Sequence, residues 1–257
     1  MTAFILKLIA MLAMLADHTA AVFMPQFAGV SPWLYTGCRM FGRLAFPLFA
    51  LGVAEGAVHT KSPKKYLLRM GLFALAAQIP FSLMTGTQGS ARSFTLLSQT
   101  VPYNIGLSVM VTLFLGLAVC LALEKKKPFF AALALIAAYF IELTVGMDYG
   151  LMGVIFIAAI YLSREKKFLR FLVMIIFPLI FYFDPLRTLA KEFIKGAPLT
   201  LTPGVLYCAS MAAAGVIALF YNKKPGKKLG VFGYIFYPAH MLVLWMIWFI
   251  LRLGGNA

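Results

Sequence analysis

The sequence predicts an all-α polytopic membrane protein, a single bundle of about nine transmembrane helices. Of its 257 residues, 62% are hydrophobic and 12% are charged, whereas a soluble domain has about 25% charged residues. Apolar runs of roughly 18 to 22 residues recur along the chain, and each could cross a hydrocarbon core of about 30 Å as a helix. We therefore expect one membrane domain over residues 1–257, in contact with the lipid bilayer.

The apolar runs predict helices at about 4–24, 37–57, 66–86, 103–123, 128–147, 148–163, 168–184, 203–222 and 230–252. The first run carries Asp17 and His18 and lacks a small-residue cleavage site, which favours a retained helix over a signal peptide. The three cysteines each fall within or beside a predicted helix, so we interpret them as apolar fillers rather than disulfide partners.

The net charge of +15 lies in short clusters between the apolar runs, which indicates topology rather than nucleic-acid binding. One side of the membrane receives Lys61, Lys64, Lys65, Lys125, Lys126, Lys127, Arg164, Lys166, Lys167, Lys223, Lys224, Lys227 and Lys228. The other side receives Arg92, Arg187, Lys191, Lys195 and Arg252. The positive-inside rule then predicts a multi-pass protein of the bacterial cytoplasmic membrane, with its N-terminus inside and its C-terminus outside.

Two connections on the predicted outer side are long. Residues 87–102 are rich in Ser, Thr and Gln, and residues 185–202 have the pattern of an interfacial amphipathic helix. The chain has no internal repeat of the kind that indicates the inverted halves of a secondary transporter.

Charged side chains at membrane depth cost roughly 2.5–3.5 kcal/mol each, so each needs a partner, a cavity or a role. In the first helix, Lys7 and His18 share one face and lie roughly 16 Å apart along the axis. Asp17 lies about 100° around the helix from His18, so these two do not form a dyad. For Asp17, an ion pair with a neighbouring helix and a catalytic role both stay open.

The second helix carries Arg39 and Arg43 as i,i+4 neighbours, and Arg43 is the natural partner for Asp17 or Asp148. Other polar residues fall at similar depth on later helices: Gln78, Asn104 opening the fourth helix, Glu142, Asp148, Tyr149 and His240. Any one of them alone would be explained by interhelical hydrogen bonding. Together they predict a polar, water-accessible cavity, whereas Glu55 and His59 are expected to form a solvated pair at the inner surface.

Several function classes lack their motifs. The chain has no HExxH sequence, no paired Cys/His spacing for a metal, and no phosphate loop or nucleotide fingerprint. The sequence therefore predicts neither a metalloprotease nor an ATPase, and no metal site.

Ordered segments across nearly the whole chain resemble the TraX family. They are Leu6–Ala10, Asp17–His18, Arg39–Phe49, Glu55–Gly56, Lys65–Arg69, Gln78–Phe81, Asn104, Asp148–Gly150 and Phe236–His240. The resemblance implies N-acetylation of a pilin amino terminus, and a place beside the acyltransferase-3 proteins and heparan-alpha-glucosaminide acetyltransferase. Acyltransferase-3 proteins carry an Arg, ten residues and an essential His, and here Lys7 and His18 stand at that spacing, with Lys in place of Arg.

The resemblance implies acetyl-CoA as acyl donor and a peptide or glycan acceptor reached from the outer side. It makes His18 the candidate base, Asp17 or Asp148 its orienting group, and Arg43 or Asn104 the group that polarises the carbonyl. His240 would contact the acceptor or act as a second base. Phosphate contacts would come from Lys7, Lys64, Lys65 and Arg69, and acceptor contacts from Arg39, Gln78, Asn104, Glu142 and Tyr149.

Two other hypotheses stay open. In a small-solute transporter or channel, the polar cluster would bind substrate or protons. In a structural partner of a secretion apparatus, replacing His18, Arg43 or His240 would leave function intact.

Overall fold

A computed structural model describes residues 1–27, 29–198 and 200–255. Within these residues the chain forms eleven α-helices and one β-hairpin. The helices are α1 (Ala3–Phe23), α2 (Pro32–Gly42), α3 (Ala45–His59), α4 (Pro63–Gly86), α5 (Val109–Glu124), α6 (Pro128–Thr144), α7 (Gly150–Leu162), α8 (Lys167–Phe181), α9 (Phe183–Ile194), α10 (Pro203–Leu219) and α11 (Phe232–Leu253). The hairpin pairs β1 (Ser93–Leu96) with β2 (Gln99–Pro102).

The helices can be divided by their ability to span a membrane. Four stretches are long and apolar enough by themselves: Ala3–Gln26, Pro32–His59, Pro63–Gly86 and Phe232–Leu253. Helices α8 and α9 together would make a fifth span, bent by 72°. Four apolar helices, α5, α6, α7 and α10, have at most 17 residues. The protein is therefore a multi-pass helical membrane protein, while the count of nine spans and the orientation of the termini stay predictions.

The second predicted helix, 37–57, is interrupted in the structure. The amide of Arg43 bonds the carbonyls of Arg39 and Met40, and the amide of Leu44 bonds that of Phe41, so the chain tightens to i→i−3 bonding here. Pro47 has no N–H to donate to the Arg43 carbonyl four residues earlier. The predicted helix at 37–57 lies within the spanning stretch Pro32–His59, but the short break that separates α2 from α3 was not predicted.

The fourth predicted helix, 103–123, begins only at Val109, so Asn104 does not open a helix. The preceding residues belong to a hairpin whose two turn residues, Leu97 and Ser98, both have positive φ, as a two-residue type I′ turn requires. The amide of Asn104 bonds the carbonyl of Ser82 at the end of α4. The hairpin is thereby fixed above the end of α4.

Helix α9 corresponds to the expected amphipathic segment at 185–202, although it begins two residues earlier, at Phe183. None of its residues is buried. Residue 199 of the expected segment lies outside the described residues.

The packing of the helices defines two ends of the bundle. At the lysine-rich end, the Met1 amino group bonds the Phe220 carbonyl at 2.7 Å, and Arg170 at the start of α8 meets Glu55 near the end of α3. At the far end, Asp17 of α1 meets Arg39 and Arg43 of the α2–α3 region. The polar residues predicted at one depth belong to this far end.

The outer face of α4 is apolar and open. Leu68, Leu72, Leu75 and Ile79 follow helical spacing and are each more than half exposed. An apolar stripe of this length suits contact with lipid chains.

Candidate functional site

A cavity of about 550 Å³ opens at the far end of the bundle. Helices α1, α2, α3, α4 and α11 contribute to its wall, together with the turn before α7 and the loops on either side of the hairpin. Of the predicted site residues, those that line it are Asp17, His18, Arg39, Arg43, Asn104, Asp148 and Tyr149. The predicted polar residues thus largely converge on one cavity.

An ionic cluster occupies one wall. Arg39 donates from Nη1 to Asp17 Oδ2 at 3.0 Å, and Arg43 donates from Nη2 to Asp17 Oδ1 at 3.2 Å and to Oδ2 at 3.4 Å. The Asp17 residue is only 8% exposed. The expected Arg43–Asp17 pair is present, and Arg39 joins it, so two guanidiniums share one carboxylate and these three side chains keep one excess positive charge.

Gly42 makes this cluster possible. A Cβ at this position would overlap the Asp17 carboxylate. The small residue therefore lets α1 approach α2 closely enough for Asp17 to reach both arginines.

Two histidines form a second feature. His18 Nδ1 lies 2.8 Å from His240 Nε2, although the residues are 222 positions apart, and His240 Nδ1 donates to the Phe236 carbonyl at 2.7 Å. His18 lines the cavity, whereas His240 is 7% exposed and lies behind it. Asp17, expected as an orienting group for His18, instead bonds the two arginines.

The turn before α7 brings Asp148 and Tyr149 to the opposite wall. Thr112 donates from Oγ1 to the Asp148 carbonyl at 2.5 Å, which fixes the backbone and leaves the carboxylate at the cavity. Tyr149 has φ +63°, a left-handed conformation that is uncommon for a tyrosine, and its ring stacks on Phe46 with centroids 3.8 Å apart. Hydrogen bonding thus fixes the backbone of Asp148, and packing on Phe46 holds the ring of Tyr149.

Two residues that were predicted to contact the acetyl acceptor, Gln78 and Glu142, do not line the cavity. Gln78 donates to the Gly106 carbonyl at 2.7 Å and accepts from the Ser108 amide at 3.1 Å. Glu142 accepts from the Met147 amide at 3.0 Å. Both side chains therefore stabilise connecting segments instead of lining the cavity.

The four residues that were predicted to contact the phosphates of acetyl-CoA do not line the cavity. Lys64, Lys65 and Arg69 are exposed on the first two turns of α4, at the lysine-rich end. Lys7 is exposed on α1 beside Gly52 of α3.

Glu55 and His59 are paired as expected, with Nδ1 of His59 3.9 Å from Oε2 of Glu55, but the pair is not solvated on the Glu55 side. Glu55 is buried, and its Oε1 accepts from Arg170 Nη1 at 3.3 Å. His59 has a 62% exposed side chain and bonds the Glu55 carbonyl at 2.9 Å.

Several residues of the cavity were missed from the sequence. Thr85, Gln88 and Ser90 line its mouth, and Tyr237 lines its α11 wall. The Phe236–His240 motif was a signal for Tyr237. For the other three, no sequence pattern indicated that the loop after α4 turns back over the cavity.

Comparisons with known proteins agree in covering nearly the whole chain. A family model described as "TraX protein" matches residues 3–248. A protein of Dichelobacter nodosus named "Probable fimbrial assembly protein FimC, serogroup H1" is 28% identical over 254 residues, which cover 95% of this chain and 94% of that protein. No solved structure matches this chain.

Proposed function

This chain belongs to the TraX family, and from that premise and the cavity geometry we propose that it is a membrane-embedded acetyltransferase. It would transfer an acetyl group from acetyl-CoA to an amine or hydroxyl of an acceptor that enters at the far end. The observation that carries the proposal is His18, whose imidazole lines a polar cavity that Arg39 and Arg43 also line.

The chemistry needs a base and a cationic oxyanion site. His18 Nε2 accepts the proton of the acceptor nucleophile as the nucleophile bonds to the thioester carbonyl carbon. Arg39 and Arg43 donate hydrogen bonds to the resulting oxyanion, since Asp17 does not occupy all of their N–H groups. When the carbon–sulfur bond breaks, His18 returns the proton to the departing sulfur, giving CoA thiol and the acetylated acceptor.

The distribution of positive charge is consistent with acetyl-CoA, the acyl donor, binding from the cytoplasm. In the predicted topology of the bacterial cytoplasmic membrane, Lys64, Lys65 and Arg69 face the cytoplasm, where acetyl-CoA is available. Exposed cations at that surface would bind the nucleotide phosphates. Lys7, on α1 between that surface and His18, would contact the donor further along its path.

The acceptor is proposed as a peptide amino terminus, with a glycan as the alternative. The relative from Dichelobacter nodosus is named a probable fimbrial assembly protein, which favours a pilus subunit over an unrelated acceptor. Asp148, which lines the cavity, is consistent with an amino-terminal acceptor. Its carboxylate would attract the ammonium form of the amino terminus, which must lose a proton before it can react.

A second candidate function, favoured by the name of the same relative, is that of a non-catalytic membrane partner in fimbrial assembly. It differs in one outcome: variants of cavity residues would keep full function in pilus assembly.

The test uses purified wild-type protein in detergent with acetyl-labelled CoA and two peptides, one with a free and one with a blocked amino terminus. We expect label in the free peptide only, one CoA thiol released per acetyl transferred, and no transfer by His18→Ala. His59→Ala is the matched control, because His59 is exposed and distant from the cavity. Wild-type protein that neither binds acetyl-CoA nor transfers acetyl would overturn the proposal, and gradient-driven solute flux in liposomes would then indicate a transporter.

A further inference from the structure

The two histidines lie edge to edge. Their ring planes are within 6° of parallel with centroids 5.0 Å apart, and the nearest nitrogens are 2.8 Å apart. Parallel rings with such a short contact cannot be stacked face to face, since carbon atoms in contact keep about 3.5 Å apart. The contact is therefore an in-plane N–H···N hydrogen bond.

The donor and the acceptor of this hydrogen bond follow from the second hydrogen bond of the His240 ring. His240 Nδ1 faces the Phe236 carbonyl at 2.7 Å, and a carbonyl only accepts, so Nδ1 carries the hydrogen. In a neutral imidazole the other nitrogen is then an acceptor. His240 Nε2 must accept, and His18 Nδ1 must donate to it.

The same logic leaves His18 Nε2 without a hydrogen. Among the described residues, the hydrogen bonds of the His18 ring involve Nδ1 alone. Its Nε2 lone pair is free for a proton from a molecule in the cavity. The backbone carbonyl of Phe236 therefore fixes the tautomer of His18 through His240.

We infer that His240 is a positioning residue, which holds His18 in the Nδ1–H tautomer and does not itself touch the acceptor; this inference rests on the proposed function for its kinetic consequence. His240 is buried behind His18 and does not line the cavity. The Phe236 ring stacks on the His240 ring, with the two ring planes 15° apart. This arrangement replaces the expected roles of His240 as an acceptor contact or a second base.

Two variants separate positioning from packing. His240→Gln places a side-chain oxygen near the position of Nε2 and keeps an acceptor for His18, whereas His240→Phe keeps the ring and removes the acceptor. We expect His240→Phe to lower kcat by about 10²–10⁴-fold with little change in KM, because a wrong tautomer removes the base. We expect His240→Gln to stay within about tenfold of wild type. Equal losses in both variants would overturn the inference.

A second readout does not depend on catalysis. The chain has three histidines, so protein labelled with ¹⁵N-histidine has three rings to resolve, and His59→Gln assigns the exposed one. In wild-type protein we expect His18 as the Nδ1–H tautomer, with a nitrogen–nitrogen coupling to His240, and a tautomer mixture in His240→Phe. An Nε2–H tautomer of His18 in wild type would overturn the inference. If the expected tautomer is found without acetyl transfer, the proposed function fails while the positioning contact stands.

Discussion

The part of the chain that the structure describes contains two buried ionic clusters, one at each end of the bundle, and they differ in the balance of positive and negative charges. At the lysine-rich end, Glu55 pairs with Arg170, which is 3% exposed and lies near the Tyr221 ring, and the exposed His59 lies 3.9 Å from the other Glu55 oxygen. At the far end, Asp17 is shared by two arginines beside a cavity of about 550 Å³. Glu55 and Arg170 are buried and do not line the cavity, so a ligand in the cavity does not reach them, whereas Arg39 and Arg43 line the cavity and outnumber the carboxylate that they share. We assign the first to stability and the second to function.

Of the variants that compare the two clusters, Arg43→Lys is expected to have the largest effect on acetyl transfer. Lysine keeps the charge but has a single nitrogen, so it cannot bond Asp17 as Arg43 Nη2 does and also offer a separate N–H group to the oxyanion. We expect acetyl transfer to fall by about 10²–10³-fold, the loss typical of one oxyanion donor, while the unfolding temperature changes little. Steady-state kinetics and thermal unfolding check this. A variant with wild-type turnover would show that Arg43 does not act on the reaction.

A substitution in the Glu55–Arg170 pair should lower stability and leave acetyl transfer by the folded protein unchanged. Glu55→Gln leaves the Arg170 charge buried without a counter-charge, so we expect the free energy of unfolding to fall by about 3 kcal/mol. The folded fraction should keep the wild-type KM. Reversible unfolding in mixed micelles measures the loss, with Glu55→Gln/Arg170→Met expected to recover most of it. Stability unchanged in the single variant would contradict the structural role.

A smaller effect is expected where two helices approach closely. Gly42→Ala inserts a Cβ against Asp17 and should displace the carboxylate, which lowers turnover about tenfold at a stability cost of about 1–3 kcal/mol. Gly116→Ala is the matched control, because its Cβ would overlap Ile157 in the core, away from the cavity. We expect the control to lose stability by a similar amount and to keep its turnover per folded molecule. Equal turnover losses in both would show a packing effect alone.

The smallest effect is expected at the lysine-rich surface. Lys64→Ala/Lys65→Ala removes two exposed cations, and we expect the KM for acetyl-CoA to rise by roughly three- to tenfold with kcat unchanged, since screened surface charges contribute little each. Lys125→Ala/Lys126→Ala is the control, with exposed lysines between α5 and α6. A KM that rises equally in both double variants would indicate general attraction rather than a binding position.

One ion pair of the cavity could be predicted from the sequence, whereas the directions of several side chains could not. Depth along a helix follows from counting residues, so the Arg43–Asp17 pair could be expected. The face that each helix turns to its neighbours depends on packing, which explains why Gln78 and Glu142 bond connecting segments instead. The contact between His18 and His240 joins the first and last helices, and no local pattern contains it.

The interruptions were also hard to predict. The break at Arg43 depends on one missing hydrogen bond at Pro47, inside an apolar run that otherwise favours a continuous helix. The hairpin has only two strands of four residues each, joined by Leu97 and Ser98 rather than by the Asn-Gly pair typical of such turns.

The role of His18 as the base is tested most directly by turnover of His18→Gly with and without added imidazole. The account predicts that acetyl transfer falls by about 10³-fold or more without loss of folding, and that free imidazole restores part of it in a concentration-dependent way. His59→Gly should keep its activity and show no response to imidazole. Turnover of His18→Gly at the wild-type rate would contradict the account.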